Sequence, residues 1–268
     1  MKTFIVTTTL SKSIDEVRFK LAYDFFLKAL RKAQANPSDF EVVLVDASPD
    51  AAVQKKFREF EKLGLYYFRQ LGHGMGPQRR QLFRHVATIA RKQGLTEYIV
   101  VWTEPEKVDI VRFIPKIVAP IIKGQADIVI PHRTQASLKT YPVFQIASEK
   151  KANAVYRQAT GLDIDMMFAV VAWHSRVHRY FAQCYPEKLG LLPPEKFDNY
   201  LQHYAPLHAL ADGYRLKSVT VDFKYPPAQK RNEETADREA MLKKRQWQSD
   251  LLTHAYQTIL PYLEAQKS

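Results

Sequence analysis

The chain has 268 residues, enough for one large α/β domain or two small ones with a sizeable core. Its 40 basic residues outnumber 28 acidic ones, for a net charge of +12 and a pI near 9.6, which favours acidic partners such as phosphorylated small molecules. The single Cys184 excludes an internal disulfide framework and a cysteine-based zinc site, and no stretch reaches the roughly 20 apolar residues that span a bilayer.

Taken in chain order, strands and helices alternate through the first half, which predicts a mostly parallel open sheet flanked by helices. Phe4 to Thr9 reads as the first strand of a cytoplasmic protein, since its apolar run is too short and too rich in threonine for a secretory signal. Ser13, with Glu16 three residues on, reads as a capping box opening a helix to about Ala35. The NPSD break leads to strand two at Glu41 to Val45, a helix from about Ala51 to Lys62, and a short third strand at Leu65 to Phe68. The glycine-rich loop LGHGMGPQ enters a helix over about Pro77 to Gln93. Tyr98 to Trp102 is an uncharged run suited to a strand buried on both faces. A helix over Val108 to Lys123 and a fifth strand at Ala126 to Ile130 follow.

The second half is less regular. Helices are predicted at Ser148 to Thr160, near His174 to Tyr185, and at Glu195 to Ala211, with an apolar segment MMFAVVAW and an alternating strand at Leu216 to Phe223 between them. Residues 1–230 read as one domain and 231–268 as a helical extension packed on it. The apolar side of that extension is Met241, Trp247, Leu251, Leu252, Tyr256, Ile259 and Leu263. The basic residues are dispersed, with no zinc finger or aromatic RNA-binding motif, so nucleic acid is not an expected partner. Nor does the sequence carry a signal for an oligomeric state.

Three places carry chemistry. Glu104 and Glu106 flank Pro105 directly after the fourth strand, where an open α/β sheet places its ligands. Two such acids either grip a divalent cation, accept hydrogen bonds from a sugar, or simply cap the next helix. In GHGMGPQRR, glycines let the backbone approach an anion at a helix N-terminus, and Arg79 and Arg80 are placed to pair with phosphate. Asp46, at the end of strand two, either accepts from a nucleoside or closes a turn with Ser48 and Asp50.

The order FIVTTTL, VVLVDASPD, GMGPQRR, YIVVWTEPEK, ADIVIPHR, FDNYL and ADGYRLKSVTVDFKYP resembles the GT-A type of nucleotide-sugar glycosyltransferase, in the broad family-two style, over roughly residues 3 to 227. The resemblance implies transfer of a sugar from a nucleoside-diphosphate sugar to a small-molecule or glycan acceptor. It implies that Thr7, Thr8 and Asp46 hold the nucleoside and that Arg79 and Arg80 face the diphosphate. Glu104-Pro105-Glu106 occupies the place of the family's Asp-x-Asp motif, so both glutamates are candidate ligands for Mn²⁺ or Mg²⁺. Lys224 stands near the family's later metal-binding histidine, where a lysine would neutralise the diphosphate directly. Asp198 matches the helix-start acid that serves as base, Glu104 is the second catalytic candidate, and Asp163, Asp165 and His174 are alternatives on the acceptor side, with Trp173 read first as a core residue and second as a lining of that site. Two rivals stay open: a sugar-phosphate nucleotidyltransferase, whose glycine loop would follow strand one, and a non-catalytic relative that binds a nucleotide-sugar.

Overall fold

The computed structural model describes residues 1–267. Its first half contains β1 (Lys2–Thr9), α1 (Val17–Ala35), β2 (Phe40–Asp46), α2 (Ala51–Glu59), β3 (Leu65–Arg69), α3 (Met75–Lys92), β4 (Tyr98–Thr103), α4 (Ile114–Ile122) and β5 (Ile128–Val129). The second half continues with β6 (His132–Arg133), α5 (Gln135–Leu138), α6 (Val143–Thr160), β7 (Val170–His174), α7 (His178–Ala182), α8 (Pro194–Phe197), α9 (Leu201–Ala211), β8 (Leu216–Lys217), β9 (Thr220–Val221), α10 (Pro227–Glu234) and α11 (Arg238–Ala265).

Seven strands form one sheet in the order β3-β2-β1-β4-β7-β5-β8, and β6 pairs with β9 in a separate two-stranded ladder. Strands β1 to β4 are mutually parallel, as their alternation with helices predicts, whereas β7 runs antiparallel between β4 and β5. Both faces are covered. Phe4, Val6, Val43, Val45, Val100 and Trp102 point into one core with α3, α6, α9 and α11, and Ile5, Val42, Leu44, Ile99 and Val101 point into the other with α1, α2 and α4. This double burial is why the middles of the central strands are uncharged, with Lys2, Glu41 and Asp46 kept to or near their ends, each large apolar side chain stabilising the fold by roughly 1.5–3 kcal/mol.

Several local expectations shift. Helix α1 begins at Val17, because Ser13 accepts from the Asp15 amide and Glu16 from the Lys12 amide, closing a turn in place of the capping box. The run Leu216–Phe223 divides into two short strands in different ladders. The tail is two helices, α10 and α11. Leu251, Leu252, Tyr256, Ile259 and Leu263 of α11 are buried, while Trp247 is 50 % exposed. No helix among the described residues is long and apolar enough to cross a membrane.

Topology defines one rim. The carboxyl ends of β1, β2 and β4 lie together at Thr9, Asp46 and Thr103. Because β7 is antiparallel, its amino end reaches the same rim, with Val170 opposite Thr103. The segment Met167–Ala169 therefore arrives beside the Glu104 turn.

Candidate active site at the sheet rim

Two hollows open at this rim and meet. The outer one, about 140 Å³, is lined by Thr8 to Ser11 from the end of β1, by Ala22 of α1, by Gln78 of α3, and by Trp102 and Pro105. The inner one, about 230 Å³, lies between the rim and helices α6, α10 and α11. Arg18, Met75, Arg79, Glu104 and Glu106 line both and form the junction. Gln78 fixes the rim by donating from one amide nitrogen to the carbonyls of Thr9 and Val45, at 2.9 Å each.

The two glutamates at the junction are each already paired. Glu104 contacts the Lys107 ammonium, and Glu106 lies 3.2 Å from the Arg18 guanidinium. Burial acts to raise the Glu104 pKa, but Lys107, with Arg79 and Arg18 behind it, outweighs that and holds the carboxyl down at about 2. Glu106 goes the other way: burial, with help from the Glu104 charge, raises it against the pull of Arg18. Burial likewise lowers Arg79 to about 10, although its charge is supported by Glu104. The residues do not fit a resident divalent ion. Three cations, Arg18, Arg79 and Lys107, face two carboxylates, so an incoming dication meets a net positive site. Among the described residues, no group of three His, Cys, Asp or Glu side chains gathers where it would hold a metal. A diphosphate meets favourable charge in the same place.

The neighbours Arg79 and Arg80 diverge, as consecutive residues on a helix must. Arg79 turns into the junction, under the Trp102 ring at 4.8 Å, and donates to the Asn199 carbonyl and to Gln202. Arg80 turns away and grips Asp198 with both terminal nitrogens, besides donating to the Cys184 carbonyl. Asp198 lines neither hollow. Gly76 lies against it so closely that any Cβ there would collide with the Asp198 carboxylate and carbonyl, which explains the glycine. Cys184 is buried, and burial pushes its thiol up to about 12, consistent with a packing role.

Asp46 sits at the rim but is fully buried behind Thr9. It accepts from Thr9 Oγ1, the Ser48 amide and hydroxyl, Tyr67 Oη and Arg69 Nη1 (2.7 Å), and lines neither hollow. Thr7 is spent on tying β1 to β4, donating to the Thr103 carbonyl at 2.7 Å, and only Thr8 and Thr9 of the triplet reach the outer hollow. Lys224 is half exposed and pairs with Asp222, away from the junction. Asp163 pairs with Arg157 on the surface, while Trp173 is buried against Phe181 and His174 lies at the opposite end of the sheet.

Beyond the junction residues and Asp165, the inner wall is not legible in the sequence. Arg133, at the end of β6, is 1 % exposed and clamped by Asp165 (2.6 Å) and Glu149 (2.7 Å). Gln145 donates to Glu149 from one turn away on α6, and Gln229 donates to Glu233 in the same way on α10. Lys244, Arg245 and Gln248 of α11 close the top. His203 lines the base, kept neutral by burial, which lowers it to about 3, with Tyr256 Oη 2.9 Å from its Nδ1. The available sequence signal was the pair of Gln-x-x-x-Glu spacings, which place amide and carboxylate on one helical face.

No family model matches the chain, and no curated protein matches it. Among solved structures, mannosyl-3-phosphoglycerate synthase from Rubrobacter xylanophilus aligns over 95 % of this chain and 72 % of its own, at 10 % identity and a TM-score of 0.54. The chain has the GT-A fold. Two further structures align with this GT-A chain at lower scores. Glucosyl-3-phosphoglycerate synthase from Mycobacterium tuberculosis, with Mn²⁺, UDP and phosphoglyceric acid, covers 91 % of this chain and 78 % of its own (12 % identity, TM-score 0.49). The mannosyltransferase PcManGT from Pyrobaculum calidifontis, with GDP-Man and Mn²⁺, covers 98 % and 73 % (14 % identity, TM-score 0.47).

Proposed function

We propose that this GT-A chain transfers a sugar from a nucleoside-diphosphate sugar to an acceptor hydroxyl. The observation that carries the reading is the meeting of two hollows at Glu104 and Glu106, outside the carboxyl ends of β1 and β4. The nucleoside takes the outer hollow against Thr8 to Ser11, the diphosphate lies against Arg79 with Arg18 and Lys107 nearby, and the sugar reaches the junction acids. In the transfer, the acceptor oxygen bonds to the anomeric carbon as that carbon's bond to the phosphate oxygen breaks. The bonding pair leaves with the nucleoside diphosphate, whose charge the junction cations offset. The hydroxyl proton passes to a carboxylate, and Glu106 is the assigned acceptor because its raised pKa makes it the more basic of the pair. Asp198, bound on both oxygens by Arg80, serves instead to anchor α3.

Isothermal titration of the full chain with UDP- and GDP-sugars tests this reading. Binding is expected with at least one of them, and it should persist in EDTA because the junction supplies its own cations. Failure of every nucleotide-sugar to bind, with or without Mn²⁺, overturns it.

A further inference from the structure

The inner hollow is walled by polar groups that are buried and incompletely bonded. Gln145 and Gln229 are 6 % and 4 % exposed, and each gives its amide nitrogen to the glutamate one turn on, at 2.7 and 2.9 Å. That bond fixes the amide orientation, because the reversed amide would set oxygen against carboxylate. Each amide oxygen is thereby left in the cavity wall with no hydrogen-bond partner. Arg79 Nε and Arg245 Nε, which also line this hollow, are buried donors in the same condition. Tyr141 Oη and the Glu233 Oε2 acceptor complete the set; an unpaired buried polar atom costs on the order of 1–3 kcal/mol, so six around one cavity mark a place built for a polar guest.

Their chemistry says which guest. The amide oxygens accept, and so call for hydroxyl groups. Arg79, Arg245 and Lys244 donate and are cationic, and so call for an anion. Lys244 makes no ion pair within 4 Å among the described residues, and burial, followed by the charges of Arg18 and Arg245, depresses its pKa against the pull of Glu233 and Glu104. A negative group between these cations relieves that repulsion. The space of about 230 Å³ is enough for a molecule of a few carbons.

We infer that the inner hollow is the acceptor seat for a small polyhydroxylated anion, with hydroxyls on Gln145 and Gln229 and a carboxylate or phosphate between Lys244 and Arg245. This assignment of an acceptor class rests on the transferase reading, in which the outer hollow takes the donor. The test is titration calorimetry on the full chain in two stages, with UDP or GDP first and then D-glycerate, glycerol 3-phosphate, neutral glycerol and maltotriose. At least one of the two anions is expected to bind about tenfold or more tightly than either neutral probe, and comparing glycerate with the phosphate tells which anionic group is preferred. Lys244→Gln, at a side chain exposed enough to leave folding intact, should weaken the preferred anion about tenfold, and Gln229→Leu should weaken it by a similar factor. Nucleotide affinity should hold in both variants. Equal binding of maltotriose, an anion affinity indifferent to Lys244→Gln, or anions that fail to bind while a nucleotide binds would each overturn the inference. Anion binding sensitive to Lys244→Gln, in a chain that binds no nucleotide, would keep the seat and remove the donor reading instead.

Discussion

Two charged clusters lie in the wall of the same hollow and are built oppositely. Around Arg133, one guanidinium is shared by Asp165 and Glu149, and Asn153 and Gln145 donate to those carboxylates in turn. All three charged side chains are 4 % exposed or less. At the rim, each carboxylate has its own cation, Glu104 with Lys107 and Glu106 with Arg18, and the Glu104 side chain keeps 45 % of its surface accessible. The closed cluster has excess negative charge that is consumed internally, so it is wall. The open cluster has excess positive charge facing space, so it is a binding surface. Composition alone does not separate them; the ratio of cations to carboxylates and their enclosure do.

The largest effect should come from breaking the closed cluster. Arg133→Met leaves two buried carboxylates without a cation, and urea denaturation should show a loss of about 3–5 kcal/mol. A loss below about 1 kcal/mol would mean the cluster is hydrated and the contrast with the rim is unreal. Acid sharpens the comparison next. His203 beside the hollow and His178 in the core are held neutral by burial, at about 3 and about 4, against an ordinary value near 6.5. The unfolded chain therefore takes up protons first, so their contribution is present above pH ~6.5 and is lost as pH falls toward 3–4. The slope should approach about 1.4 kcal/mol per pH unit for each imidazole, and a flat stability profile from pH 6.5 to 4.5 would refute the assignment. The smallest effect belongs to the open cluster. Lys107→Met should weaken nucleotide binding by about tenfold while releasing the Glu104 carboxylate, and it should let Mn²⁺ bind where the parent chain does not. Electron paramagnetic resonance of added Mn²⁺ reads this directly, and tight Mn²⁺ binding by the parent would contradict the charge argument.

The rim was legible in the sequence, and the inner wall was not. Apolar runs such as Tyr98 to Trp102 declare strands buried on both faces, and a proline between two acids declares where the fourth strand stops. Position at a strand end does not say where a side chain is consumed. Asp46 turns to Thr9, Ser48, Tyr67 and Arg69, and Asp198 to Arg80, through partners 21 to 118 residues away for the longest of these bonds. Arg79 and Arg80 are read together as phosphate ligands from the sequence, but one helical step sends Arg79 to the cleft and Arg80 to Asp198. The reversal of β7 also escaped notice, since an apolar run has no direction, and with it went the approach of Met167–Ala169 to Glu104. Gln145, Glu149, Gln229 and Glu233 look like ordinary solvated helix pairs until α11 is laid across them.

That last helix has a consequence of its own. Its opening turns carry Met241, Lys244, Arg245 and Gln248 over the cavity, and its later turns bury Leu252, Tyr256 and Ile259 against the main body. Lid and keel are thus a single rod. Whatever settles beneath the near end is felt at the far end, so occupancy should register as resistance of the whole tail to proteases and heat, and a chain clipped before Arg238 would forfeit foundation and roof together.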